Sequence, residues 1–245
     1  MTRGVVIDAL PERAAHYRES HAVVAVDAFR ATTTIVTALA AGRRVYPVAS
    51  LEEAAEVAAG LTSPLLAGEV AGDQPMDFEI NNSPDGLSRR SDQRPLVLLS
   101  SAGTRLLATA RGSVGVYVAC FRNLSATANY VAGRHQRVAV IGAGTRGEPR
   151  LEDQMACAWI ALRLTRLGFQ PEDASTRAEI DRWAEADISL IAESPSAEYL
   201  RSSGQEADIG YVLSHVDDLD LVVEMDGQEA TRVADRAPAA TEGRT

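Results

Sequence analysis

The sequence predicts an α/β fold, a parallel or mixed β-sheet flanked by helices, with a mainly helical segment in the C-terminal half. Short β-branched runs alternate with Ala/Leu-rich runs up to about residue 150, as in a sheet whose strands are joined by helices. The apolar spacing is then helical from about residue 151 to 215. We therefore expect an α/β sheet lobe over 1–150, a helical segment over 151–233 that returns to the sheet with a strand pair, and a disordered tail over 234–245.

The first lobe contains six clear strand patterns. They are GVVIDAL, AVVAVD, RVYPVA, LVLLSS, GVYVAC and RVAVIG. AVVAVD is almost entirely apolar, as a parallel strand buried on both faces should be. Helices are predicted over 32–41, after Ser50, which caps LEEAAEVAAG in a capping box with Glu53, and from near Thr104 and Asn123.

The second half begins with one long amphipathic helix, LEDQMACAWIALRLTRLG, which stops at Gly168. Three shorter helical stretches follow, STRAEIDRWAEADISLIAES, SAEYLRSSG and EADIGYVLSHV. LDLVVEMDGQEATRV is predicted to form two strands that turn at Asp226-Gly227.

Charge and composition exclude several classes of protein. The formal net charge of −10 repels phosphate backbones, so we expect no nucleic-acid partner. No apolar run approaches the roughly 18 residues that span a bilayer, and the N-terminus does not have a signal-peptide pattern. Cys120 and Cys157 give no disulfide framework. We expect a cytoplasmic protein without a membrane partner; a homodimer is one option for its assembly.

The stretch GAGTRG, residues 142–147, matches the dinucleotide fingerprint G-x-G-x-x-G and follows a predicted strand. A nicotinamide-binding unit also needs a second parallel strand that ends in an acidic residue about 20 residues later. The sequence after the long helix, LGFQPEDAS, has no β-branched run to supply it. NAD binding therefore remains a minor alternative, beside a plain strand-to-helix turn.

The predicted strand ends carry polar residues suited to phosphate chemistry. Asp27 ends the second strand, and Arg30 with Thr32 and Thr33 follows where a helix begins. A carboxylate there can take a hard metal or attack phosphorus, and an arginine can hold an oxyanion. Pairing of Asp27 with Arg30, and helix capping by the threonines, are the structural alternatives.

Further polar residues follow the other predicted strands, and they are Glu69, Asn82, Ser83, Gly103, Thr104, Gly144, Arg146, Glu152 and Asp153. Each alone is explained by a turn or a helix cap. Together they suit Mg²⁺ and a small phosphorylated molecule, and we expect them to meet at one edge of the sheet.

Several blocks resemble those of the 2-phosphosulfolactate phosphatases. The blocks are DAFRATTTIVTALAAG, AGEVAG, FEINNSP, SSAGT and GAGTRGEPRLEDQMACAWI, and the resemblance extends from about residue 23 to 223. It implies an α/β fold of the family's own type, Mg²⁺ dependence and hydrolysis of a small acidic phosphate monoester, in coenzyme M biosynthesis. The positions that match are Asp27, Arg30, Glu152 and Asp153.

The chain departs from the family pattern at three places, because Val70 replaces an arginine, Glu79 replaces an aspartate and Ala102 replaces an asparagine. Loss of polar contacts to an anion costs about 1.5–3 kcal/mol where charge is involved. A catalytically degenerate binder of an anionic metabolite is therefore the alternative function.

The sequence thus assigns three kinds of site residue. Those predicted to be catalytic are Asp27, Arg30 and Asp153. Those predicted to bind substrate are Thr32, Thr33, Asn82, Ser83, Gly103, Thr104, Gly144 and Arg146. Those predicted to bind Mg²⁺ are Asp27, Glu69, Glu152 and Asp153. Direct attack by a metal-activated water is preferred over an aspartyl-phosphate at Asp27.

Overall fold

The structure, a computed structural model, describes residues 2–233 and contains one mixed sheet of ten strands. The strands are β1 Gly4–Ala9, β2 Ala22–Val26, β3 Val45–Val48, β4 Leu65–Gly68, β5 Leu96–Leu99, β6 Val116–Ala119, β7 Arg137–Gly142, β8 Gln170–Pro171, β9 Val223–Asp226 and β10 Glu229–Arg232. Their order across the sheet is β4-β5-β3-β10-β9-β6-β2-β7-β1-β8. The predicted α/β class is confirmed.

The sheet consists of two parallel blocks joined by an antiparallel hairpin. One block is β4-β5-β3, and the other is β6-β2-β7-β1-β8. The hairpin β9–β10, with Gly227 in its turn at a φ of +61°, pairs antiparallel with β6 on one side and β3 on the other. The three antiparallel pairings make the two blocks run in opposite directions.

Nine α-helices lie among the described residues. They are α1 Ala31–Ala40, α2 Leu51–Ala59, α3 Pro84–Ser88, α4 Gly103–Ala110, α5 Leu124–Ala132, α6 Leu151–Arg166, α7 Ala174–Trp183, α8 Pro195–Ser202 and α9 Ala207–Ser214. Short 3-10 helices cover Pro11–Tyr17, Phe121–Asn123 and Ile188–Glu193. No helix within residues 2–233 combines the length and the apolar character that crossing a membrane requires.

Successive side chains of β2 divide the core into two layers. Val23 and Ala25 pack into a buried cluster with residues of α1 and α4, whereas Val24 and Val26 pack into a second cluster with residues of α5 and α6. This alternation follows from the two-residue period of a strand. Because both faces of β2 are covered by helices, the loop that follows it is held rigidly from both sides.

Most of the predicted elements are present, including the hairpin at Asp226-Gly227 and the capped helix α2, in which Ser50 Oγ accepts from the Glu53 N–H at 3.1 Å. The sequence patterns missed the first 3-10 helix, α3 and the two-residue strand β8, which are too short to show a period. The long helical stretch predicted over 175–194 is α7 followed by a separate 3-10 helix. The predicted disordered tail lies outside the described residues.

Candidate active site

A cavity of about 510 Å³ lies where the loops of both sheet blocks meet. Its polar lining residues are Asp27, Arg30, Glu69, Asn82, Ser100, Ser101, Arg105, Thr145, Arg146, Arg150, Ser196 and Tyr199. Asp27 follows β2 in the larger block, whereas Glu69 and Ser100 follow β4 and β5 in the smaller one. The predicted residues therefore do come together around one cavity, but the strands that they follow belong to two blocks of opposite direction. Neighbouring strands are rotated by about 20–25°, which turns the two blocks relative to each other.

The loop after β2 is closed by its own threonines. Thr32 Oγ1 donates to the Asp27 carbonyl oxygen at 2.8 Å and accepts from the Asp27 N–H at 2.9 Å. Thr33 Oγ1 donates to the Ala28 carbonyl oxygen at 2.9 Å. Both side chains are buried and neither lines the cavity. They therefore fix the loop that carries Asp27, and their binding of substrate stays a prediction.

Asp153 joins the loops that follow β2 and β7. Its Oδ1 accepts from the Ala28 N–H at 2.8 Å, and its Oδ2 accepts from the Gly144 N–H at 3.0 Å. The side chain is buried and lies behind the cavity wall, in the lining of a second, smaller cavity of about 150 Å³. A carboxylate whose two oxygens each hold a backbone amide sets the relative position of the two loops.

Glu69 has the corresponding position between the loops that follow β4 and β5. Its Oε1 accepts from the Ser101 N–H at 2.6 Å, and its Oε2 accepts from the Gly72 N–H at 2.7 Å and from Ser101 Oγ at 2.9 Å. The carboxylate also lines the cavity. Glu69 therefore shapes the cavity through its loop contacts.

Helix α4 begins against Asp27, with only a glycine between them. A Cβ added at Gly103 would lie 2.3 Å from Asp27 Oδ2, so no larger residue fits there without movement. The Gly103 N–H donates to Ser100 Oγ at 3.1 Å, and Thr104 Oγ1 donates to the Ser100 carbonyl oxygen at 2.8 Å. Glycine at this position brings the positive end of a helix close to the carboxylate, where an anion would also be stabilised.

Arg30 is buried in the cavity wall and is paired with Asp208 of α9, not with Asp27. Its Nη1 donates to Asp208 Oδ2 at 2.6 Å and to Gln205 Oε1 at 2.5 Å, while Nη2 donates to Asn81 Oδ1 at 3.0 Å. Ser83 Oγ in turn donates to Asp208 Oδ1 at 2.7 Å. The predicted substrate residue Ser83 therefore supports the site through Asp208.

Three further arginines give the cavity a positive wall in an acidic protein. Arg105 and Arg146 have no ion-pair partner among residues 2–233, and Arg150 has only a 3.9 Å contact with Glu148. Arg146 has a φ of +54° in a tight turn in which the Thr145 N–H donates to the Glu148 carbonyl oxygen at 2.8 Å. A non-glycine residue in this backbone region is uncommon, and here the tight turn imposes it. These uncompensated charges suit an anionic ligand.

Three buried acids near the cavity have raised pKa values. Burial raises the pKa of Asp27 to about 7, and the carboxylates of Glu69 and Glu152 add to that rise. Burial, and after it the charges of Asp27 and Glu152, raises the pKa of Asp153. Burial also raises the pKa of Glu152. Acids that resist ionising beside each other create a place where a cation would be favourable.

These residues can supply a magnesium ion with two carboxylate ligands, but not with a complete set of protein ligands. No group of three acid, histidine or cysteine side chains is arranged around one ion in the described part of the chain. Mg²⁺ is usually bound by one or two carboxylates together with substrate phosphates. Asp27 and Glu152 meet this smaller requirement, because Glu152 is 1% exposed and its Oε2 has no hydrogen-bond partner within residues 2–233.

Of the predicted site residues, the structure places Asp27, Arg30, Glu69, Asn82 and Arg146 in the cavity lining. The others lie behind it or support its loops, and they are Thr32, Thr33, Ser83, Gly103, Thr104, Gly144, Glu152 and Asp153.

Several lining residues were missed by the sequence patterns. Ser100, Ser101 and Arg105 lie in the same SSAGTR turn as the predicted Thr104, so attention to the whole turn would have found them. Arg150 lies just before helix α6, whose first turn contains the predicted acids Glu152 and Asp153, so its position next to them could also have identified it. Ser196 and Tyr199 come from α8, which no local pattern connects with the cavity.

The three departures from the family pattern occupy different surroundings. Glu79 forms an ion pair with Arg94 at 2.7 Å, and neither residue lines the cavity. Val70 is 45% exposed and lies outside the lining, whereas Ala102 is part of it. Only the change at Ala102 therefore alters the cavity wall directly.

The glycine turn of residues 142–147 does not continue into a dinucleotide-binding unit. The Gly144 N–H is directed to Asp153, and the strand after α6 is the two-residue β8, which pairs with β1. The second long parallel strand that such a unit requires is absent from the described residues.

Comparison with known proteins agrees with this geometry. The family model for 2-phosphosulpholactate phosphatase matches residues 8–228. A probable 2-phosphosulfolactate phosphatase of Pseudothermotoga lettingae is 33% identical over 200 residues, covering 79% of this chain and 84% of the relative. The 2-phosphosulfolactate phosphatase of Methanothermobacter thermautotrophicus is 33% identical over 190 residues, covering 78% and 80%. The chain therefore belongs to the 2-phosphosulpholactate phosphatase family, whose name describes a phosphoric monoester hydrolase.

Proposed function

We propose that the protein is a Mg²⁺-dependent phosphatase that hydrolyses a small acidic phosphate monoester, with 2-phosphosulfolactate as the first candidate. The observation that carries the proposal is the placement of the Asp27 carboxylate in a cavity whose other charged groups are mainly arginines. Arginines attract an anionic ester that the overall charge of −10 would repel.

The arginines would bind and orient the substrate. Arg105, Arg146 and Arg150 carry donors that no carboxylate neutralises closely within residues 2–233. A guanidinium can hold two oxygens of a phosphate or carboxylate at once. An ester with a phosphate and additional acid groups would therefore use more than one of them.

The role proposed for Asp27 is action on the phosphoryl group, and its place in the cavity lining supports this. Burial raises the pKa of Asp27 to about 7 when no metal ion is bound, so a cation beside this carboxyl group would favour its ionised form. Asp27 and Glu152 would hold Mg²⁺, which when bound would neutralise charge that builds up on the phosphoryl oxygens. Attack by water is preferred, because Phe29 stands where an enzyme forming an aspartyl-phosphate would carry its second aspartate. Ser100 and the start of α4 keep the carboxylate in place from the other side.

Phosphate release from a panel of small phosphomonoesters tests the proposal. We expect Mg²⁺-dependent release that is greatest with 2-phosphosulfolactate and lower with esters that lack a second acid group. A thermal shift with Mg²⁺ alone supplies a readout that does not depend on turnover. If no ester is hydrolysed although a phosphorylated acid binds in the presence of Mg²⁺, the protein is instead a degenerate binder, the alternative that Ala102 in the lining favours.

Other features of the function remain proposals from the sequence. A cytoplasmic location is proposed because the family is one of enzymes that act on a small metabolite. A role in coenzyme M biosynthesis rests on the family resemblance alone.

A further inference from the structure

We propose that Asp208 is a positioning residue that fixes the Arg30 guanidinium and the loop of Asn82 in the cavity wall. This inference rests on the proposed function, because it concerns how the cavity holds a phosphate ester. Asp208 lies in α9, at a distance of 178 residues in sequence from Arg30. It carried no signal in the sequence patterns.

The contacts of Arg30 show what Asp208 fixes. Three of its hydrogen bonds go to Asp208, Gln205 and Asn81. A guanidinium has five N–H donors, so two remain for a ligand. Since Arg30 is 5% exposed, lines the cavity and is held by these three hydrogen bonds, its guanidinium has one fixed position in the cavity wall.

The second oxygen of Asp208 holds the neighbouring loop. Oδ1 accepts from Ser83 Oγ at 2.7 Å and from the Asp85 N–H at 3.1 Å. Asn82, just before this contact, is 3% exposed and lines the cavity, and its Oδ1 has no partner among the described residues. The Asp208 carboxylate therefore sets the position of two polar residues of the cavity lining, Arg30 directly and Asn82 through its loop.

A purely structural role explains this arrangement less well. Buried ion pairs add little stability compared with well-packed apolar residues, because both charges lose their hydration. Asp208 is 1% exposed, and each of its contacts leads to a segment of the cavity wall. The pair Arg122–Asp218 provides a control that is matched in its 2.6 Å separation and lies outside the cavity lining, but not in burial, since the Asp218 side chain is 32% exposed and that of Asp208 is 2% exposed.

A double-mutant cycle tests the proposal with phosphate release from 2-phosphosulfolactate. Asp208→Asn should lower kcat/KM about 10- to 100-fold, because a group shifted by about 1 Å loses its alignment. Asp218→Asn should change it less than about twofold. In an Arg30→Ala background, Asp208→Asn should lower kcat/KM clearly less than in the wild type, because Asp208 then holds only the loop of Asn82. The same loss with and without Arg30, or equal losses for Asp208→Asn and Asp218→Asn, would overturn the proposal.

Two further measurements separate failure of this inference from failure of the proposed function. If the wild type releases no phosphate, the phosphatase proposal fails, and calorimetric titration with inorganic phosphate then decides the role of Asp208 in the same variants. If Asp208→Asn does not fold, Gln205→Ala removes one acceptor of Arg30 without leaving a buried charge unpaired. Reduced phosphate affinity at an unchanged melting temperature supports the positioning role, and unchanged affinity contradicts it.

Discussion

Two pairs of acids surround the candidate site, and their surroundings differ. Asp153 and Glu69 each use both carboxylate oxygens to hold backbone amides of two separate loops. Asp27 receives a backbone hydrogen bond from Ala31, and Glu152 keeps one oxygen without a partner within residues 2–233. The first pair is therefore committed to the loops, and the second has oxygens available for a ligand.

The difference suggests a division of labour that the residue types alone do not reveal. All four side chains are carboxylates, and all were predicted to be metal ligands. An acid whose two oxygens accept backbone amide hydrogens is held in one position and has fewer lone pairs free for a cation. We therefore propose that Asp27 and Glu152 bind the cation, while Asp153 and Glu69 build the cavity around them.

Asp27→Asn should produce the largest effect that separates the two pairs. We expect kcat/KM for phosphate release to fall by about 10²–10⁴-fold, because Mg²⁺ would lose a carboxylate ligand and with it much of its charge stabilisation in the transition state. Folding stability should not fall, because the amide avoids the cost of burying a carboxylate. Steady-state kinetics and urea unfolding at pH 8 measure both quantities.

Asp218→Asn serves as the control, because it changes a carboxylate away from the cavity by the same chemical step. Full activity of Asp27→Asn would remove Asp27 from the site and would place it with the structural acids.

Mg²⁺ and pH should act together on the stability of the fold. In the metal-free protein the pKa of Asp27 is about 7, above its ordinary 3.8, so the fold favours the protonated form. The stability contributed by this protonation is complete below about pH 4 and is lost as the pH rises through about 7. Stabilisation by Mg²⁺ should grow over the same range, reaching about 2.7 kcal/mol at 100 times its dissociation constant.

Melting temperatures from pH 5 to 8, in EDTA and in Mg²⁺, measure this linkage. Asp27→Asn should flatten the metal-free pH profile and remove most of the shift with Mg²⁺. An equal Mg²⁺ shift at pH 5 and pH 8 would show that the ion binds elsewhere.

Asp153→Asn should affect stability more than Mg²⁺ binding. An asparagine supplies one acceptor oxygen, so either the Ala28 or the Gly144 N–H loses its partner in a buried place. The expected cost is about 1–3 kcal/mol in the free energy of unfolding. Urea unfolding measures it, and the Mg²⁺ thermal shift of the variant should persist. If the Mg²⁺ shift disappears while stability is kept, Asp153 is a ligand and the proposed division is wrong.

Much of the fold was predictable because local sequence determines it. The apolar run before Asp27 and the caps of α2 and α6 carry their own period and end signals. The direction of the two sheet blocks was not predictable, since it depends on where the hairpin β9–β10 inserts. A pairing between strands that are distant in sequence leaves no mark on either strand's own pattern.

The candidate site, like the fold, could be predicted from the sequence only where local patterns mark its residues. Residues at strand ends, such as Asp27 and Arg146, could be found from their position after a strand. Tyr199 and Asp208 could not, because they come from helices whose sequences look like ordinary surface segments. The role of Asp153 also needed the structure, since only the two amide contacts distinguish it from a metal ligand.

Glu69→Gln should produce the smallest effect and gives the finest test of the comparison. A glutamine keeps one acceptor, so the N–H of either Ser101 or Gly72 loses its partner, but Ser101 is exposed and Gly72 only half-buried, so water can replace the lost contact. We expect a loss of about 0.5–1.5 kcal/mol in the free energy of unfolding, within the range for one hydrogen bond. Phosphate release should stay within about tenfold of the wild type.

The Mg²⁺ thermal shift compares Glu69 directly with Asp153, because Glu69 lines the cavity and Asp153 does not. If the shift is lost in Glu69→Gln but kept in Asp153→Asn, Glu69 belongs with the residues that bind the cation. We expect both variants to keep the Mg²⁺ thermal shift and Asp153→Asn to lose more stability than Glu69→Gln. This result follows if both carboxylates serve mainly to hold the backbone amides that they accept from.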